Sequence, residues 1–161
     1  METTYRHTQY GAWMFVVFLL VGLLIAAVAA AIIAEGRVLS AIVMIGVYLL
    51  GLGMFYSLTI EVSAEELKFW FGIGLLRKTY ALSEVASTRE VKNPWYYFWG
   101  AKLIPGGWFY AIAPGTAVEI ALENGRIVQL GTDQPQALML AIDGAKQRVG
   151  TDDGSLGVRG A

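Results

Sequence analysis

The sequence predicts a membrane α-helical hairpin followed by a mainly-β domain of about seven strands with one C-terminal helix. Three observations carry this prediction. Hydrophobic residues make up 56% of the chain, against about 45–50% in an average soluble domain, and the excess lies before Ser57. Two uncharged apolar runs, 11–34 and 38–56, are separated only by Glu35, Gly36 and Arg37. After Tyr56 the apolar period changes to two, with turn residues at short intervals. The expected organisation is an N-terminal arm over 1–10, a two-helix transmembrane hairpin over 11–57, the β domain over 58–149 and a flexible tail over 150–161.

At about 1.5 Å per residue the first run reaches roughly 36 Å, enough to cross a hydrocarbon layer of about 30 Å with some tilt. The second run is also long enough to span. The short turn makes the two helices antiparallel neighbours, so both ends of the hairpin face one side. Helices in lipid associate through close approach at small residues. Gly22, Ala26, Ala30 and Ala34 form one such stripe, and Gly46 and Gly53, with Ser40 and Ala41, form its counterpart. A hydroxyl in hydrocarbon needs a partner, so Tyr48 is expected to bond a backbone carbonyl within the hairpin. Tyr10, Trp13, Phe55 and Tyr56 suit an aromatic belt at the shared face. The first run is too long for the apolar region of a usual signal peptide. Arg6, Lys68 and Arg77 on the shared side, against Arg37 in the turn, orient the domain toward the cytoplasm.

In the second region Leu58, Ile60 and Val62 alternate with polar residues, as do Leu67, Phe69 and Phe71, and Gly72-Ile73-Gly74 turns into 76–82. Further strands are predicted over 108–112, 118–122 and 126–130, the last two joined by Asn124-Gly125, a strong hairpin signal. Asp133 and Pro135 open a helix whose stripe is Leu138, Ile142, Ala145 and Val149.

The segments Phe71-Gly72-Ile73-Gly74-Leu75-Leu76-Arg77-Lys78, Asn93-Pro94-Trp95-Tyr96-Tyr97, Pro105-Gly106-Gly107-Trp108 and Gly131-Thr132-Asp133 resemble those of bacterial PH-like (pleckstrin-homology-like) membrane proteins, in which a transmembrane hairpin precedes the PH-like domain. The resemblance covers about 58–149 by motif and the hairpin by layout. It implies a roll of strands capped by a C-terminal helix and brings no catalytic residues with it. Gly100-Ala101-Lys102 and the apolar Ala111-Ile112-Ala113-Pro114 depart from the pattern.

For chemistry the inventory is thin. A net charge of −1 without like-charge blocks gives no attraction to nucleic acid, and the absence of cysteine excludes disulfides and thiolate chemistry. His7 is the single histidine, so no metal site, cofactor or catalytic residue is expected, and no small-molecule substrate is identified. Glu119 is the carboxylate to inspect first, against the plainer reading of an exposed strand face. The run Trp95, Tyr96, Tyr97, Phe98 and Trp99 exceeds what either periodicity can bury. With Trp108 it is expected to meet lipid or a protein partner, with internal packing as the third reading of the run. Lys68, Arg77 and Lys78 are the candidate cations for a lipid headgroup. The expected function is a non-enzymatic membrane-anchored interaction module of the inner (cytoplasmic) membrane, an accessory subunit or assembly factor contacting the bilayer and other membrane subunits. The alternative is a lipid-headgroup-binding sensor.

Overall fold

The computed structural model describes residues 3–94 and 100–156. In chain order its elements are β1 (Thr3–Tyr10), α1 (Ala12–Ala34), α2 (Val38–Phe55), β2 (Ser57–Ser63), β3 (Glu66–Phe71), β4 (Leu76–Ala81), a 3-10 turn (Leu82–Glu84), β5 (Val85–Lys92), β6 (Gly100–Ile104), β7 (Gly107–Ala111), β8 (Thr116–Leu122), β9 (Ile127–Gly131) and α3 (Pro135–Leu156). Helices α1 and α2 are both long and apolar enough to cross a membrane. A hairpin plus a β domain with one closing helix is therefore what the chain forms, with nine strands among the described residues rather than about seven.

The hairpin turn is a Schellman motif. Gly36 takes a φ of +78°. Its N–H donates to the Ile33 carbonyl at 2.9 Å, and that of Arg37 donates to Ile32 at 3.1 Å, satisfying carbonyls that the end of α1 would leave unpaired. Tyr48 Oη donates to the Phe18 carbonyl at 2.7 Å, and the two rings meet edge to face at 6.4 Å. The covered stripe on α1 is Phe18, Gly22, Ile25, Ala29 and Ile32, and on α2 it is Ala41, Met44 and Tyr48. This seam passes through Gly22, where an added Cβ would come within 2.7 Å of the Tyr48 hydroxyl. Ala26 and Ala30 are exposed, off the seam. Gly46 is exposed with open space around it, and Gly53 faces Ile73 of the β domain rather than α1. The repeat of four read from the sequence drifts off the seam. Antiparallel helices keep contact on a period near 3.5, which the alternating three- and four-residue steps of the observed stripe supply.

The arm over 1–10 contains β1, which pairs antiparallel with β2 from Tyr10↔Ser57 to Thr3↔Ser63. The whole helical hairpin thus occupies the connection between two hydrogen-bonded neighbours. One sheet runs β1-β2-β3-β4 and the other β5-β8-β9-β7-β6, in which β7 and β9 are parallel. Their inner faces share one core, with Phe69, Phe71, Tyr110 and Ile120 among its large members. Helix α3 lies across the corner where β1 and β2 approach β5 and β8, and it buries Leu138, Ile142 and Ala145 completely. Lys146 Nζ donates to the carbonyls of Val85 and Ala86, tying α3 to β5. Pro135 is the first residue of α3. Asp133 is used differently from the predicted cap: its carboxylate meets His7 Nε2 at 2.7 Å, linking β1 to the start of the helix. The tail expected from 150 onward is helical as far as Leu156.

Candidate interaction cleft

The two sheets also part at a second corner, between β4 and β7, where each sheet runs beyond the cover of the other. Strand β4 is the free edge of its sheet, and β7 is followed only by β6 on the far side. A groove of about 260 Å³ runs here along Phe69, Phe71, the segment 75–78 (Leu75, Leu76, Arg77 and Lys78) and Tyr110. A smaller adjoining hollow of about 110 Å³ is framed by Tyr80, Trp108, Arg126 and Ile127.

The aromatic walls follow from register. Lys78 and Tyr80 pair with Phe69 and Leu67, so both stand on the inner face of the first sheet. Trp108 and Tyr110 alternate on the inner face of the second, and Leu103 is directly opposite Trp108. Phe69 and Tyr110 are 4.8 Å apart, and Tyr110 stacks against Trp108 at 6.1 Å. Strand β4 is the last of its sheet, and among the described residues Trp108 and Leu103 stay 42% and 75% exposed. Burial pushes the Tyr110 phenol up to about 12, with the neighbouring Tyr80 hydroxyl adding to the rise. Tyr80 is also raised, by burial first, while Arg126 pulls it back and Glu84 pushes it further up. Both phenols are therefore neutral donors at physiological pH.

Of the three cations expected to converge, Arg77 and Lys78 both border the groove and Lys68 does not. By register the Lys78 side chain stands on the groove side of β4, whereas those of Lys68 and Arg77 alternate onto the opposite face, Arg77 bordering the groove where β4 leaves the turn. Lys68 Nζ is 2.5 Å from the Glu66 carboxylate. The Arg77 guanidinium lies 5.4 Å from the Trp70 ring, whose other neighbour is Arg6 at 5.7 Å. Period-two geometry puts the side chains of residues 77 and 78 on opposite faces, and the register puts Lys68 on the face of Arg77. Glu119 is 8% exposed on the outer face of the second sheet. Arg89 Nε donates to its Oε1 at 2.7 Å, and Gln129 Nε2 donates to its Oε2 at 2.8 Å. Both oxygens are engaged by neighbouring strands, as an ion pair that keeps a carboxylate on a covered sheet face requires. Among the described residues no group of three His, Asp or Glu side chains is arranged to hold a metal.

No known protein family, curated protein or solved structure matches the chain. The cleft therefore rests on its own geometry. Trp95, Tyr96, Tyr97, Phe98 and Trp99 lie outside the described residues. Their flanks, Lys92 and Gly100, belong to β5 and β6, the two opposite edges of the second sheet. Of the residues predicted for partner contact, Trp108 is in the cleft. Tyr80, Leu103 and Tyr110 were not singled out from the sequence. The signal for Tyr110 was its period-two relation to Trp108, while Leu103 sits in a strand too short and too rich in Gly, Ala and Lys to read as one.

Proposed function

We propose that the chain is a non-enzymatic, membrane-anchored interaction module of the inner membrane, with its β body on the cytoplasmic side, serving a larger membrane protein complex as an accessory subunit or assembly factor. The order of hairpin, two sheets and closing helix supports a PH-like reading of the body. The parallel β7–β9 pair is the feature that sets it apart from an all-antiparallel roll.

The observation that carries this reading is the mount between hairpin and body. A module on a loose tether could swing freely, but here α1 and α2 enter and leave through paired strands. Gly11, at the start of α1, packs so closely on the β7–β8 connection that an added Cβ would come within 2.7 Å of the Ile112 carbonyl. At the end of α2, Phe55 packs edge to face on Phe71 at 5.8 Å. The Trp108 end of the cleft, away from the β3–β4 turn, is then presented at a fixed height above the bilayer, which suits contact with a neighbouring membrane protein. Its exposed Trp108 and Leu103 provide the aromatic and aliphatic anchors that interfaces favour. Arg6 and Arg77 beside the mount, against an Arg37 already 3.8 Å from Glu35 in the far turn, support the cytoplasmic orientation.

The test is photo-crosslinking in native membranes, with a photoreactive residue at Leu103 or Trp108 of the full chain and at exposed Ser83 as control. The same discrete adduct is expected from both cleft positions and not from position 83. A chain that washes off membranes in alkaline carbonate, or one that runs as a bare monomer in mild detergent with no adduct from either position, contradicts the proposal.

A further inference from the structure

We infer that the β3–β4 turn is a third membrane contact, with Ile73 and Leu75 lying in the acyl-chain layer beside α2. The inference rests on the membrane reading of the hairpin and adds a lipid-facing element that belongs to the β body.

The turn is fastened by backbone to the end of α2 and to the first residue of β2. The Ile73 N–H donates to the Gly53 carbonyl at 3.1 Å, and the Gly72 N–H donates to the Ser57 carbonyl at 2.8 Å. Gly72 has a φ of +43°, and a Cβ there would collide with the backbone carbonyls of Gly53 and Met54, so no other residue allows this approach. The attachment fixes depth. Counting from Val38, the Gly53 carbonyl lies roughly 22 Å along α2 at about 1.5 Å per residue, still inside a hydrocarbon layer of about 30 Å. The residues at that depth match it chemically. Ile73 and Leu75 are 61% and 62% exposed, and side chains of this kind at a turn tip are disfavoured in water but satisfied in lipid. Polarity returns where β3 and β4 rise from the turn. Trp70, flanked by the Arg6 and Arg77 guanidiniums, stands about two residues above it, the level at which an amphipathic ring and cations meet the headgroups. The Tyr10 and Tyr56 rings, 6.3 Å apart, complete that layer at the mouth of the hairpin.

The sequence contains no cysteine, so Ile73→Cys, Leu75→Cys, Val47→Cys and Ser83→Cys each introduce one unique site for a nitroxide. The full chain is reconstituted in phosphatidylcholine vesicles, and each label's collision rates with oxygen and with a water-soluble nickel chelate are compared. Labels at 73 and 75 are expected to favour oxygen, as does the mid-helix label at 47, while the label at 83 favours nickel. Nickel-accessible labels at 73 and 75 alongside an oxygen-favouring 47 overturn the inference and leave the membrane reading standing. Nickel access at 47 as well overturns both.

Discussion

Where β1 and β2 approach β5 and β8, helix α3 fills the gap between the sheets. Where β4 faces β7, no described element fills it. The first corner buries Leu138, Ile142 and Ala145 completely, and the second leaves Trp108 and Leu103 facing outward. The same force acts at both, since apolar surface is driven from water at roughly 25 cal/mol per Å². What differs is whether the described residues supply the cover. A corner closed from within serves stability, and one left apolar and open is available to a second molecule.

The comparison breaks if the closed corner proves dispensable. Ile142→Ala removes a fully buried side chain, and a loss of about 2–5 kcal/mol is expected in denaturant unfolding of the full chain in mild detergent. A loss below about 1 kcal/mol would mean that α3 rests on the body without completing it. The rim of the open corner is tested by alkali. The Tyr110 phenol, ordinarily 10.0, is held at about 12 in the fold, so between these values the folded protein binds more protons than the unfolded chain. Stability from this group is complete below pH 10 and declines as pH rises toward 12, by an amount on the order of 2 kcal/mol. Tyr110→Phe is expected to flatten that decline; an unchanged slope would place the phenol in water. A smaller effect is expected from Lys146→Met, which removes the ammonium donated to Val85 and Ala86 while keeping the aliphatic stem. About 1 kcal/mol should be lost by the same unfolding measurement.

How much of this was legible in the sequence depends on whether the signal was local. The two apolar runs, the Asn124-Gly125 hairpin and the Leu138, Ile142 and Ala145 stripe were readable because period and turn chemistry are properties of neighbouring residues. Strand β1 was not. Its inner-face alternation of Tyr5, His7 and Gln9 is too polar to register, and its partner β2 lies beyond the whole helical hairpin. The polar β5, with its outward Arg89 bound to Glu119, was invisible for the same reason. The seam of the hairpin was half legible: Gly22 lies on it, while Ala26 and Ala30 do not, because composition identifies small residues but not the phase at which two helices meet. Most of the cleft was out of reach, since it is defined by where one sheet ends relative to another, and no window of sequence contains that boundary.

The smallest expected change in stability is the one that separates the two corners most sharply. Leu103 projects into solvent from the free edge strand β6, so Leu103→Ser removes little that the folded chain uses, and unfolding should shift by no more than about 0.5 kcal/mol. If the open corner is a docking surface, the same substitution takes an aliphatic anchor from its rim, beside Trp108, and should lower the crosslinking yield from position 108 several-fold. A stability loss as large as that of Ile142→Ala would show instead that Leu103 is covered by the chain itself. The corner would then be closed from within, like its counterpart under α3, and the asymmetry on which its docking role depends would disappear.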